Sequence, residues 1–139
     1  MAMSHALADA TLTDILLGEN SPHIQLHVGD PGQNGTANPA RKGGDAADAD
    51  LKEITFGTIK SEAGPPTERY VDNSGEIVWT DAQIDAGQEI SYFTIWSAET
   101  AGTIQFIAAV DTAKTTGSDG VTIAVEDLLV ALEVYALPA

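Results

Sequence analysis

Apolar and polar residues alternate with a period of two along most of the chain, as they do in half-buried β-strands. The last segment shows this pattern most clearly, because Leu128, Val130, Leu132 and Val134 are spaced two apart. Residues 90–96 are apolar on both faces, which places that segment in the middle of the fold. We therefore predict about seven short strands in a mainly β fold, an antiparallel β-sandwich or jelly-roll-like domain.

A short helix and a long loop interrupt this pattern near the N-terminus. Ser4 can cap a helix that ends before Gly18, and its apolar stripe would be Ala8, Leu12, Ile15 and Leu16. The loop is too long for a plain connector, so it is either functional or packed over the domain. The predicted organisation is a single domain, 1–139, with a helix at about 4–17, a strand at 23–28, a long loop at 29–49 and a β-sandwich at 51–137.

The strand after Pro22 carries two histidines. Ile24, Leu26 and Val28 would face one way, and His23, Gln25 and His27 the other. Four residues of strand separate the two histidines by about 13 Å, so one metal ion cannot be bound by both. We predict two exposed histidines and no metal site.

Composition narrows the possible partners. The chain has 139 residues, 43% of them hydrophobic, which suits one globular domain, and it has no cysteine. With 21 acidic and 6 basic residues, its net charge of −15 disfavours nucleic acid and anionic membranes as partners. No apolar run approaches the roughly 18 residues of a membrane span, and the N-terminus lacks the basic region of a signal peptide. Such acidity is typical of a very soluble protein or of a host with a salty cytoplasm.

The motifs of common enzymes and cofactor sites are missing from the sequence. The acidic segment with Asp45, Asp48 and Asp50 offers oxygen ligands but does not match the calcium-loop pattern. Trp79 and Trp96 lie in apolar alternation, so we expect both in the core. We predict no catalytic residue, no cofactor and no metal.

The segment "LHVGDPGQNGTANPARK" resembles the "LHTGDPG…GT.NE…YAR" segment of a family of small tailed-phage virion proteins. These proteins are usually labelled tail fibre or minor tail proteins and are abundant among phages of actinobacteria. The stretch that begins "ISYFTIWSAETAGTIQF" is similar to the family's "vthfgiWda.tgGtlL" block. The resemblance extends over roughly residues 5 to 133.

This resemblance implies a non-enzymatic structural protein of a tailed virus, located in the virion after assembly in the host cytoplasm. It would be a capsid decoration protein or a minor tail or fibre-like protein, and its partners would be viral capsid or tail proteins. The "GDPG" stretch reads as a tight turn, and the loop beyond it would be a contact arm lying on a neighbouring subunit. The expected assembly-contact residues are Asp30, Pro31, Gly32, Asn34, Arg41 and Lys42.

The final strand suggests self-association. Leu129, Tyr135 and Leu137 would leave apolar groups on the face opposite the buried one, and such a strand needs cover. We therefore expect a homo-oligomer, with a trimer favoured. The alternative function is a carbohydrate- or receptor-binding module, which would need exposed aromatic side chains on a concave face.

Overall fold

The computed structural model describes residues 2–136, which form one helix and eleven strands. The helix is α1 (His5–Leu16). The strands are β1 (His23–His27), β2 (Arg41–Lys42), β3 (Ala47–Asp48), β4 (Lys52–Glu53), β5 (Lys60–Glu62), β6 (Glu68–Asp72), β7 (Ile77–Trp79), β8 (Glu89–Trp96), β9 (Ile104–Thr115), β10 (Val121–Ile123) and β11 (Leu129–Glu133). The mainly β prediction is confirmed.

The strands form one large and several small antiparallel sheets that enclose a common core. The large sheet has the order β4-β1-β8-β9, and its inner face packs against the β11-β6-β5 and β10-β7 sheets. Ile24, Ile95, Val71, Trp79 and Val130 come from five different strands and are all buried in this core. The layers are those of a β-sandwich. As predicted, β8 lies in the middle, with β1 on one side and β9 on the other.

Helix α1 has the predicted signals at both ends. The Ser4 hydroxyl accepts a hydrogen bond from the Leu7 amide at 3.1 Å, and Gly18 follows the helix with φ +66°. The helix packs on β6, where Arg69 forms a bidentate pair with Asp9 at 2.8 Å. The Arg69 guanidinium, by donating to that carboxylate, lowers the pKa of Asp9.

The prediction that His23 and His27 are exposed is wrong. His23 is 9% exposed and His27 is fully buried, because every residue of β1 is covered. Two segments pair with the outer edge of β1. The long loop hydrogen-bonds to Leu26 and Val28, and β4 pairs with His23 and Ile24. Alternation in one strand shows which residues share a face, but not that a distant segment will cover the second face.

Burial along the C-terminal strand follows the predicted period of two. Val130 and Val134 are buried, while Leu129 and Tyr135 are 48% and 67% exposed. The predicted role of Leu137 lies outside the described residues. The structure thus leaves apolar side chains of this segment uncovered on the outer face.

Candidate functional site

The "GDPG" stretch forms the predicted turn at the end of β1. The Asp30 carboxylate accepts a hydrogen bond from the Gly32 amide at 2.8 Å, and Gly32 has φ +73°. Pro31 is buried, whereas Asp30, Gly32 and Asn34 are exposed. Three of the four predicted contact residues in this part of the loop are therefore accessible to a partner.

The loop then folds back onto its own domain. The Asn38 carbonyl accepts from the Val28 amide at 2.9 Å, and the Ala40 amide donates to the Leu26 carbonyl at 2.9 Å. Gly35 is buried and packs so closely that an added Cβ would lie 2.5 Å from Ile104 Cδ1 and 3.2 Å from Trp96 Cζ2. The loop therefore crosses the outer face of the large sheet and brings Asn34 beside the start of β9.

A buried polar network fixes the loop to the sheet. His27 Nδ1 lies 2.9 Å from the Ala37 carbonyl, and His27 Nε2 lies 2.9 Å from the Thr94 hydroxyl. Trp96 Nε1 donates to the same hydroxyl at 2.8 Å. A neutral His27 that donates from Nδ1 and accepts the Thr94 proton at Nε2 gives every group of this network a hydrogen-bond partner. These groups are the Ala37 carbonyl, the His27 ring, the Thr94 hydroxyl and the Trp96 indole N–H. Burial lowers the pKa of His27, which favours this neutral form.

We expect the stability of the domain to fall as pH drops below about 6.5, the ordinary pKa of histidine. The pKa of His27 is lower in the folded chain, so the unfolded chain takes up the proton first. The contribution of neutral His27 to the free energy of unfolding is therefore complete above about pH 6.5, and it is lost as pH falls toward the pKa of His27 in the folded chain. Urea unfolding at pH 7.5 and 5.0 tests this, with His27→Gln as the comparison. An equal pH dependence in the wild type and the variant would contradict the assignment.

Arg41 and Lys42, the other predicted contact residues, lie in a hairpin formed by β2 and β3. Arg41 pairs with Asp48 and Lys42 with Asp50, so both charges are compensated within the chain. Asp85 accepts from the amides of Gly44 and Asp45 at the hairpin turn, and the Asp45 amide is the main cause of its lowered pKa. No hydrogen bond or ion pair within residues 2–136 joins this hairpin to Asp30–Asn34.

Concave surfaces at two places of the described structure are large enough to consider as sites. The larger is an open apolar groove of about 620 Å³ between β9 and the β10–β11 side, with Phe93, Val110 and Leu129 in its wall. The smaller is a polar cleft of about 270 Å³ on the outer face of the large sheet, which we call the Trp96 cleft. It is lined by Gln25, Thr36, Asp48, Leu51, Trp96 and Glu99, with Ala98, Ala101 and Gly102 at its side.

The sequence prediction missed the Trp96 cleft. Trp79 is fully buried, as predicted, and its Nε1 donates to the Asp50 carbonyl at 2.6 Å. Trp96, however, is only half-buried and lines the cleft, so its prediction as a core residue is wrong. Alternation could not reveal this, because the loop and the 97–102 turn build the walls. The polar "SAET" turn directly after Trp96 was the one available signal.

Within residues 2–136, no three or more histidine, aspartate or glutamate side chains are grouped as metal ligands. The same part of the chain contains no helix with the length and apolar composition that crossing a membrane requires.

Comparison with known proteins identifies the chain. The sequence model of a family described as podophage GP4 fiber I protein gp80 matches residues 2–131, nearly the whole chain. No curated protein matches it. The β-sandwich is thus that of a phage fibre protein. The chain belongs to the podophage GP4 fiber I protein gp80 family. This confirms the resemblance to phage tail-fibre proteins, whereas the narrower "LHTGDPG" type of actinobacterial phages stays a prediction.

Proposed function

We propose that the chain is a structural subunit of a podophage tail fibre and acts by protein–protein contact without a catalytic step. Membership of a phage fibre family is the observation that carries this proposal. The word fiber in the family description favours the tail over the capsid exterior as its location. Other tail proteins are then its partners, and it joins the particle in the host cytoplasm.

The free edge of β9 is the surface we assign to assembly. β9 is the last strand of the large sheet, and no other strand pairs with its outer side within residues 2–136. Residues 100–110 carry no charge in a chain of net charge −15. Two copies repel through most of their surfaces, so they can approach best where charge is absent. An unpaired strand edge also offers backbone groups for pairing with another chain.

The exposed side of β11 is the second half of the proposed contact. A closed ring of three copies needs two different surfaces that meet, one from each neighbour. Leu129 and Tyr135 are among the most exposed large apolar side chains of the domain, and Ile107 on β9 is 39% exposed. We propose that the β9 edge of one copy docks against the β11 side of the next. The neutral loop tip with Gly32 and Asn34 adjoins this contact, next to Ile104.

Ile107→Asp is expected to weaken self-association at least tenfold, which corresponds to about 1.4 kcal/mol. The substitution places a charge in the neutral surface but leaves the core unchanged. Sedimentation equilibrium over a concentration series measures the effect. Val78→Asp is the matched control, because Val78 is 37% exposed on β7, outside the proposed contact. A wild-type chain that stays monomeric, or a variant that associates like wild type, would contradict the proposed surface.

Mixing variants distinguishes a ring contact from a symmetric pair. Leu129→Asp is expected to weaken association as Ile107→Asp does, but a mixture of the two variants keeps one intact contact and should form heterodimers.

Association should also persist or strengthen in molar NaCl, because salt screens repulsion between acidic copies. Dissociation at high salt would instead point to ion pairs through Arg41 and Lys42.

Protein mass spectrometry of separated heads and tails from purified particles tests the proposed location of the chain in the tail.

A further inference from the structure

Asn34 differs from the other asparagines of the chain in how its side chain is held. The chain contains four asparagines, at positions 20, 34, 38 and 73. Asn20 donates to three backbone carbonyls, and Asn38 donates to the Asp30 carbonyl. Asn73 is fully buried, with hydrogen bonds to both its amide and its carbonyl oxygen. Asn34 is exposed and makes no side-chain hydrogen bond within residues 2–136, so its amide is free to turn toward the main chain.

The residue that follows Asn34 favours attack on this side chain. Gly35 has no Cβ that would keep its backbone nitrogen away from the Asn34 side chain. Asn38, by contrast, precedes Pro39, whose nitrogen carries no hydrogen and cannot react in this way. Asparagine is a thermolabile residue because such an attack removes its side-chain amide. The Asn34–Gly35 step therefore combines a free amide with an unobstructed nucleophile.

Water is the co-reactant of this modification. The Gly35 nitrogen gives its proton to solvent and attacks the Cγ carbon of Asn34, so that a nitrogen–carbon bond forms. The bond between Cγ and the side-chain nitrogen breaks, and ammonia leaves after taking up a proton. Water then opens the cyclic imide at either of its carbonyls, which yields aspartate or isoaspartate. The product carries one more negative charge than the original loop.

Packing of the loop tip controls how fast this reaction proceeds. The Gly35 amide donates to the Gly32 carbonyl at 2.9 Å, and Gly35 packs against Ile104 and Trp96. The nitrogen must leave this hydrogen bond before it can attack, so the reaction requires local opening of the loop tip. Deamidation is therefore slower in the folded chain than in the unfolded one.

We propose that Asn34 is a site of spontaneous deamidation in the free subunit, and that the added charge weakens assembly. The second part rests on the proposed assembly contact, which the neutral loop tip adjoins next to Ile104. A chain of net charge −15 gains repulsion there at a place where charge was absent. A neighbour that covers the loop tip hinders its opening, so the modification marks subunits that stay unassembled.

Peptide mass spectrometry of the chain during incubation in mildly alkaline buffer tests the modification. We expect a gain of about 1 Da that fragmentation places at Asn34, with both aspartate and isoaspartate as products. Asn20, Asn38 and Asn73 should stay unchanged in the same sample. The modification is excluded if Asn34 stays intact in the folded chain while the urea-unfolded chain loses it. It is also excluded if another asparagine of the folded chain reacts as fast.

Ile104→Ala tests the role of loop packing. The shorter side chain removes part of the surface against which Gly35 packs, so the folded variant should deamidate at Asn34 faster than the wild type. Asn73 is the internal control, because it is buried in the core and reacts only when the whole domain unfolds. An unchanged rate at Asn34, or equal acceleration at Asn73, contradicts control by local opening.

Asn34→Asp tests the consequence for assembly. It should weaken self-association about threefold in sedimentation equilibrium, as expected for one charge at an exposed contact. Asn34→Gln keeps the loop neutral and should associate equally well before and after incubation, whereas the incubated wild type weakens. Val78→Asp, which adds the same charge outside the contact, is the matched control.

The two parts of the proposal fail separately. If Asn34→Asp associates like the wild type, the effect on assembly is wrong, although the assembly contact itself stands if Ile107→Asp still weakens it. A wild-type chain that stays monomeric contradicts the proposed assembly contact and, with it, the effect of the added charge. The mass measurement decides the modification in either case, because it uses the free subunit.

Discussion

Asn73→Ala is expected to lower the free energy of unfolding by about 3 kcal/mol. Asn73 is fully buried between β6 and the segment before β11. Its side-chain amide donates to the Gly75 and Ala124 carbonyls at 2.8 and 2.9 Å, and its carbonyl oxygen accepts from the Leu128 amide at 2.9 Å. One side chain thus connects two turns and the start of the C-terminal strand.

The loss arises mainly at the buried Leu128 amide, which keeps no partner within residues 2–136 when the asparagine oxygen is removed. Water can reach the exposed Gly75 and Ala124, so their carbonyls add less. Chemical denaturation followed by tryptophan fluorescence measures the change. Asn34→Ala is the control, because Asn34 is exposed and makes no side-chain hydrogen bond within residues 2–136, and its effect should stay within about 0.5 kcal/mol. Equal effects of the two substitutions would refute the connecting role of Asn73.

Gly35→Ala should also destabilise the domain by about 3 kcal/mol. Gly35 has φ +71°, a left-handed conformation that costs an alanine about 1–2 kcal/mol. The added Cβ would also lie 2.5 Å from Ile104 Cδ1 and 3.2 Å from Trp96 Cζ2, and crowding of this kind costs about 1–3 kcal/mol. The loop tip and the side chains of Ile104 and Trp96 must therefore shift apart, and faster hydrogen exchange at Gly35 and Ala37 should accompany the lower stability.

Gly32→Ala separates the cost of the left-handed backbone conformation from the cost of crowding. Gly32 has a nearly identical φ of +73°, but nothing lies within 4 Å of the position that its Cβ would take. Its substitution should cost only the conformational part, about 1 kcal/mol. If both alanine variants lose the same stability, close packing of the loop tip on Ile104 and Trp96 contributes nothing.

Local patterns were enough to predict the helix and the terminal strand. Ser4 and Gly18 mark the two ends of α1 by backbone chemistry that involves only neighbouring residues. The spacing of Val130 and Val134 likewise reflects a strand with one buried face. In both elements, the residues that decide the structure lie within a few positions of one another.

Features built by distant segments were not predictable in the same way. His27 is buried because Ala37 returns over β1, and Trp96 lines a cleft because the turn after β8 stands beside the loop. The β2–β3 hairpin inside the predicted loop did have a local signal, since Gly43 and Gly44 both adopt positive φ between its strands. Nothing near Asn73 in the sequence indicates its hydrogen bond to the Leu128 amide.

The ion pairs of this acidic chain have a consequence for how fast subunits meet. Arg41, Lys42, Lys60 and Arg69 all pair with acids of their own chain, so they offer little attraction to a second copy. Encounters between free copies are then slowed by mutual repulsion at low ionic strength, and they accelerate as salt shortens its range to about 10 Å at 0.1 M. Freshly made chains with an open β9 edge are thereby kept from sticking to one another at random. Repulsion between the acidic copies thus slows aggregation through an unpaired strand edge.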